Sequence, residues 1–500
     1  MKTIAAVAVA TCLVLSACGG DDVSNSSGGS ASGSGGTTSN PSGPSNPNGG
    51  TTAKAGWSAV AAVDGKEPEF SPSVTIDAQG NALAIWMTNG ANGATGNEVW
   101  SSRYVPSSGW STPTRVDTTD GTSAMTGPGA SAPLLVGSAD GHAVALWQQF
   151  LAGAGYGLWT RTYDPATGWG AVVELSPNET SFAWDAGIDS KGNAIVAWQQ
   201  KTDVADTRVF ASRYTVGGTW SSPEQIQQPA QTGPGAITGI GGQGINNVEI
   251  NLSMTPSGNA VLAWRQSDNT QSALWATTYD PANGWASANP VVLEPNGAAS
   301  KSVFAPAAGM DAKGNITLVW GEVDIDSNGA HTTTLSQRYA AGSGWQAVQP
   351  VAPFIDTTAA GYYPQLAVND AGIAAVTWIR PDGSLQANVA DANGNWGATQ
   401  QMTAHFDPSN GRQPQIVIDA AGNATVAWQD ASTPASADIL ANRYANGAWG
   451  TATLFGQNPQ DASYPALAVN ASGAMALVWQ FYASTTIGNV LQSSLYTPGS

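Results

Sequence analysis

Pro72-Ser73-Val74-Thr75-Ile76-Asp77-Ala78-Gln79-Gly80-Asn81-Ala82-Leu83-Ala84-Ile85-Trp86 decides the fold, because its pattern returns seven more times along the 500-residue chain. A Gly followed six residues later by Trp recurs at 80/86, 141/147, 192/198, 258/264, 314/320, 372/378, 422/428 and 473/479. Self-similarity at a spacing of about fifty residues marks a repeat architecture.

Three residues before each Gly stands a short oxygen-bearing side chain: Asp77, Ser138, Asp189, Thr255, Asp311, Asn369, Asp419 or Asn470. Such side chains accept hydrogen bonds from backbone amides just downstream. The Gly supplies the left-handed conformation that closes a hairpin. Ser, Thr and Asn substitute for Asp, so the position needs an acceptor rather than a charge, which argues against metal or acid chemistry at this turn.

Pro72, Pro133, Pro306, Pro364, Pro414 and Pro465 precede the acceptor by five residues and predict the start of a strand, since proline is excluded from strand interiors. Runs such as Ala194-Ile195-Val196-Ala197-Trp198 follow the turn and are apolar on both alternating faces, as a strand covered on both sides requires. A third strand ends in Tyr104, Tyr163, Tyr214, Tyr279, Tyr339, Tyr444 or Tyr496; the sixth copy has Ala390 instead. A short turn then leads to a fourth strand headed by Trp110, Trp169, Trp220, Trp285, Trp345, Trp396 or Trp449, with Trp57 supplying the eighth. Four short strands in each of eight units predict an all-β fold: an eight-bladed β-propeller of four-stranded antiparallel blades. Of the 20 Trp, only Trp184 lies outside the repeat positions.

The chain divides into three parts on this reading: residues 1–18 as a targeting segment, 19–55 as a tether and 56–500 as the propeller. Lys2 followed by the apolar Ile4–Leu15 run and Leu15-Ser16-Ala17-Cys18-Gly19 has the layout of a signal peptide. Its last five residues resemble the lipobox of bacterial lipoproteins. That resemblance implies lipidation of Cys18, which becomes the mature amino terminus, and Gly19 after it favours the outer membrane if the source is Gram-negative. The apolar run is too short to serve as a permanent membrane span. Residues 19–55, rich in Gly, Ser, Thr, Asn and Pro, cannot bury enough apolar surface to fold and read as a disordered, flexible linker. Net charge is −18 with a pI near 4.3, which excludes nucleic acid as a partner. The domain reads as a monomer held to the membrane through its lipidated N-terminus.

The Gly hairpin and the Tyr-to-Trp turn fall on one rim and vary little in length. Connections on the opposite rim vary widely, from Arg380-Pro381-Asp382-Gly383 to residues 227–248. Diversified loops on a fixed scaffold are where binding resides. Trp184 replaces the strand-opening proline there, Tyr363 and Tyr464 precede it in their copies, and Arg265 and Arg380 follow the strand-ending Trp. Aromatic faces and guanidinium donors make these the ligand-binding candidates for a glycan or protein partner. Asp324-Ile325-Asp326-Ser327-Asn328-Gly329 matches the opening of a calcium loop, although Leu335 stands where the bidentate Glu belongs. Ca²⁺ on Asp324, Asp326 and Asn328 is the one cofactor this sequence raises.

Gly hairpins with a downstream Trp are distantly similar to the Asp-box repeats of sialidase-like propellers, though the acceptor-to-Gly spacing here is three rather than two. That resemblance implies three convergent arginines, an acidic proton donor and a Tyr–Glu pair. Arg115, Arg208, Arg265, Arg380 and Arg412 are the arginines of the loop rim; Asp203, Asp206, Asp268, Glu322 and Asp430 are the acids. A retaining glycosidase would hold two carboxyls about 5 Å apart. His142, His331 and His405 share no metal spacing, and neither G-x-S-x-G nor a P-loop is present. The repeat also resembles the G-N-A-x-A-V-W-Q, R-Y and G-W units of uncharacterised bacterial surface proteins, a likeness that covers the whole propeller and implies no activity. The expectation is a lipid-anchored, non-catalytic binding module of the cell envelope; the alternative is a sialidase-like or other glycoside-processing enzyme with its site at the channel mouth.

Overall fold

The computed structural model describes residues 55–499, apart from 65–68, 90–96, 118–132, 152–154, 177–180, 204–205, 227–249, 268–271, 287–300, 327–328, 353–361, 381, 405, 407–412, 434–435, 456–461 and 485–487. Cys18 and the tether lie outside the described residues.

Eight antiparallel sheets form the eight blades of a β-propeller, with no helix among the described residues. Blade 1 runs Glu69–Ile76, Ala82–Asn89, Asn97–Val105 and Gly109–Trp110 from the axis outward. The first strand of every sheet packs against the first strand of the next, from blade 1 round to Ala462–Val469 of blade 8 and back to Glu69–Ile76. These eight strands therefore surround the axis, and the Trp-headed fourth strands stand outermost. In blades 3 and 6 the outer Trp makes only an isolated bridge, Tyr214 to Trp220 and Ala390 to Trp396.

The ring closes with the chain's early residues. Gly56–Trp57 and Ala61–Asp64 pair with Gly488–Thr497, so blade 8 takes its outer strand from the start of the domain. Closure is tied again where the Trp110 indole N–H donates to Ser493 Oγ at 2.9 Å and Asn470 Nδ2 donates to the Asp77 carbonyl at 2.9 Å.

The second strands are buried along their apolar length, and Ala374–Ile379 is buried at all positions. Both faces meet a neighbouring blade, which is why their sequence does not alternate between apolar and polar. Trp147, Trp198, Trp264, Trp320, Trp428 and Trp479 are each 0 % exposed. Further out, Tyr and Trp rings meet edge to face, as Tyr104–Trp110 and Tyr163–Trp169 do at 5.5 and 5.2 Å. The outer indole then binds a serine on the preceding blade: Trp169 to Ser101 and Trp396 to Ser336, both at 2.8 Å.

The prolines behave differently from expectation in four blades. Strands begin before Pro72, Pro306, Pro364 and Pro465, and the ladder slips by one residue at each: between Phe70 and Ser73, Phe304 and Ala307, Tyr362 and Gln365, and Ser463 and Ala466. A bulge leaves one residue outside the ladder, so the missing proline N–H costs nothing there. Pro133 and Pro414 do stand just before their strands, Leu134–Gly137 and Gln415–Ile418.

Candidate functional site

The hairpin rim is occupied by its own hydrogen bonds. Asp77 Oδ1 accepts the N–H groups of Gln79 and Asn81 at 2.9 and 2.8 Å, while its Oδ2 accepts Asn81 Nδ2 at 2.7 Å. Gly80 closes the turn at φ 82°. Asp189 and Asp311 repeat this arrangement, and backbone bonds then sew neighbouring turns together, as from Ala78 N–H to the Ala139 carbonyl at 2.9 Å. The third-strand arginines serve as struts. Arg443 reaches Asp419 Oδ2 at 2.9 Å and lies over the Tyr496 ring of the next blade, and Arg338 Nη2 donates to the Ala392 carbonyl at 2.8 Å. Little on this rim is left to recognise a ligand.

The opposite end of the axis differs. The bulges at the proline steps force Ser71, Ala305 and Tyr464 to φ values of 56°, 50° and 60°. Left-handed backbone costs a non-glycine residue roughly 1–2 kcal/mol. Strain of this kind survives where surrounding structure fixes it, and it gathers at binding and catalytic sites. Tyr464 is half-buried at such a step, and Tyr363 occupies the same step of blade 6. The structure thus brings these two candidates to equivalent places at the variable-loop end of the inner strands. The variable loops themselves fall largely outside the described residues.

Trp184 is not a surface platform. It is 2 % exposed and packs with Val144, Leu146, Val196 and Trp198 between blades 2 and 3, because the inner strand turns this position toward the preceding blade. Arg265 is also buried. It lies on the strand face, with Val261 and Ala263, that looks to blade 5, while Glu322 shares the face of Leu318 and Trp320 that looks back to blade 4. The fold therefore turns Arg265 and Glu322 to one inter-blade seam. Arg115 contacts Glu98 and Asp117 at 2.9 and 2.6 Å; burial pushes the Asp117 carboxyl up while Arg115 pulls it down. Arg380 lies 3.7 Å from Asp382. Arg115, Arg208, Arg265 and Arg380 stand on blades 1, 3, 4 and 6, and Arg412 lies outside the described residues.

The candidate calcium segment is strand up to Asp326, which pairs with Gly329, while Asp324 pairs with His331. Asn328 and the Asp326 side chain lie outside the described residues. Among the described residues, no group of His, Cys, Asp and Glu side chains is arranged to hold a metal ion.

Two further features were not read from the sequence. Asp430 stands directly opposite Asp438 on the second and third strands of blade 7. Thr403 Oγ1 donates to Asp430 at 2.6 Å, and burial followed by the Asp430 charge raises the Asp438 carboxyl. The second feature rings the axis, at the position four residues before the turn acceptor: Ser73, Leu134, Asp185, Asn251, Ala307, Gln365, Gln415 and Ala466. The next residue's N–H points away from the ladder, and in three places a side chain of the preceding blade caps it. Leu135 N–H donates to Ser73 Oγ at 3.0 Å, Leu252 N–H to Asp185 Oδ2 at 2.8 Å and Ala308 N–H to Asn251 Oδ1 at 2.7 Å. Asp185 also accepts Asn251 Nδ2 at 3.1 Å and the Ala186 N–H at 2.8 Å. The residue keeps some accessible surface, yet protein encloses the carboxyl, and that burial outweighs the three hydrogen bonds and pushes it up to about 6.

Solved structures share the fold. A polysaccharide lyase of family PL25, an ulvan lyase, is 9 % identical over 87 % of this chain and 94 % of its own, with a TM-score of 0.44. The BP39L lectin from Burkholderia pseudomallei is 11 % identical over 78 % and 100 %, at 0.45, and the Hadza microbial sialidase Hz136 is 13 % identical over 68 % and 73 %, at 0.36. These neighbours are two glycan-active enzymes and a lectin; at such identities the likeness is one of fold and extends to nothing further. No protein-family model matches the chain, and no curated protein matches it.

Proposed function

We propose that the chain is a lipid-anchored, non-catalytic propeller that binds a glycan or protein ligand at the cell envelope through its variable-loop end. The observation that carries this reading is the shared bulge in the inner strands of blades 1, 5, 6 and 8. In blades 1, 5 and 8 it sets a left-handed residue at that end of the axis, Tyr464 among them, and Tyr363 holds the same step of blade 6. The hydrogen-bonded hairpin rim supports the same choice of face. Anchoring rests on Cys18 within Leu15-Ser16-Ala17-Cys18-Gly19, and in a Gram-negative cell it places the domain at the outer membrane.

The test is a glycan array probed with the detergent-solubilised full-length protein and with Tyr464→Ala. The wild type should retain at least one glycan, and the variant should bind it about tenfold less tightly, the range for losing an aromatic stacking partner. Wild-type protein that retains no glycan and captures no envelope protein would sink the reading.

One observation favours a second, enzymatic reading. Asp430 and Asp438 are direct cross-strand partners, and the Asp430 charge adds to burial in raising the Asp438 carboxyl, the one-ionised, one-protonated arrangement that a pair of glycosidase carboxyls uses. Release of reducing ends from a bound glycan by the wild type, lost in Asp430→Asn, would establish this reading in place of the first.

A further inference from the structure

The axial ring is capped unevenly. Ser73, Asp185 and Asn251 close the wall between blades 1 and 2, 3 and 4, and 4 and 5. Leu134 of blade 2 has no acceptor to offer blade 3, whose Ala186 N–H meets Asp185 of its own strand instead, and from blade 5 onward the device stops. Ala307 has no acceptor to offer Leu366 of blade 6, and Ala466 has none to offer Val74 of blade 1. Gln365 and Gln415 occupy the capping position of blades 6 and 7 but do not cap. Gln415 Nε2 turns back to the Gln413 carbonyl at 3.5 Å, and no partner among the described residues meets the Gln365 amide. By the register of the repeat, the N–H groups of Leu366 and Ile416 face the axis as those of Leu135, Leu252 and Ala308 do. This wall also keeps accessible surface: residues 365–368 and Gln415–Ile418 are half-buried at every position.

We propose that the axial wall of blades 6 and 7 is a subsite for one neutral sugar residue, held by the Gln365 and Gln415 amides and the Leu366 and Ile416 N–H groups. This rests on the glycan-binding reading above and names its site. A primary amide donates and accepts at once, as a sugar hydroxyl does, and the two backbone N–H groups complete a set of donors for ring or hydroxyl oxygens. Neither glutamine is charged, and the −18 of the whole chain opposes an acidic sugar. The ligand class is therefore an uncharged hexose or N-acetylhexosamine.

The test is saturation-transfer NMR on the full-length protein in detergent, titrated separately with glucose, galactose, mannose and N-acetylglucosamine. Gln365→Ala and Gln415→Ala should each weaken the bound sugar several-fold, and the double variant about tenfold or more. Melting temperatures should barely move, because neither amide caps a strand. Asn251→Ala should do the opposite, lowering the melting temperature by losing its cap while binding is retained. The single variants keep the test informative if the double variant fails to fold. A bound sugar unaffected by either glutamine overturns the subsite and leaves glycan binding standing, as does retention of an array glycan with no monosaccharide bound. Absence of both array and monosaccharide binding overturns the two together.

Discussion

Asp185→Asn removes an inner-strand carboxyl whose titration the fold moves into the mildly acidic range. Its ordinary value is 3.8, and burial raises it to about 6. A raised carboxyl binds its proton more tightly in the folded state than in the unfolded chain. Its contribution is therefore most favourable below about pH 4 and is lost as the pH rises through about 6. The gap of about two units corresponds to about 3 kcal/mol at 1.36 kcal/mol per unit, an upper figure because the residue keeps some accessible surface. For a domain of roughly 450 residues the unfolding entropy is about 0.9 kcal/mol/K, so about 3 kcal/mol becomes ~3 °C in melting temperature. Asparagine has the same shape and keeps an oxygen for the Leu252 N–H, but it does not titrate. Differential scanning fluorimetry of both proteins from pH 4 to 7.5 is the assay. The wild type should lose ~3 °C relative to Asp185→Asn across that interval, with most of the loss between pH 4 and 6.5. A difference that stays level, or one that grows in the wild type's favour with rising pH, would refute the assigned burial.

Trp479→Ala removes a fully buried ring between blades and should cost about 3–5 kcal/mol, or ~3–5 °C by the same conversion. Trp110→Phe keeps the ring but removes the N–H that meets Ser493, for about 1 kcal/mol and ~1 °C. Ser71→Gly relieves a left-handed residue and should raise the melting temperature by ~1 °C, readable by fluorimetry. Cys18→Ser should move the chain from the membrane to the soluble fraction and abolish palmitate incorporation in labelled cells; unchanged fractionation would remove the anchor.

The architecture was legible because its signals are backbone demands repeated eight times. Gly80 and its equivalents occupy a left-handed turn, and Trp86 and its equivalents fill a seam between sheets. Ring closure was not legible, since Trp57 could head a strand of either terminal blade until its pairing with Tyr496 was seen. Pro72 misled by its position, because the rule that bars proline from strands admits bulges. Trp184 misled for a related reason: a pattern break looked like a surface feature, while the strand's alternation turned it inward. Asp430 and Asp438 sit eight residues apart, and only the hairpin register shows that they face each other. The axial position did carry a signal, in that Ser73, Gln365 and Gln415 each directly follow the repeat's proline and Asp185 and Asn251 hold the same place. That signal is ambiguous in sequence alone, because polar residues on a strand usually face water rather than the next strand's amides.

The most direct test of the account is a crystal structure of the full-length protein bound to the glycan it retains on an array. The account predicts an intact glycan at the variable-loop end of the axis, reaching the wall of blades 6 and 7. A glycan on the hairpin rim or the outer faces of the blades, or one found cleaved, would contradict it.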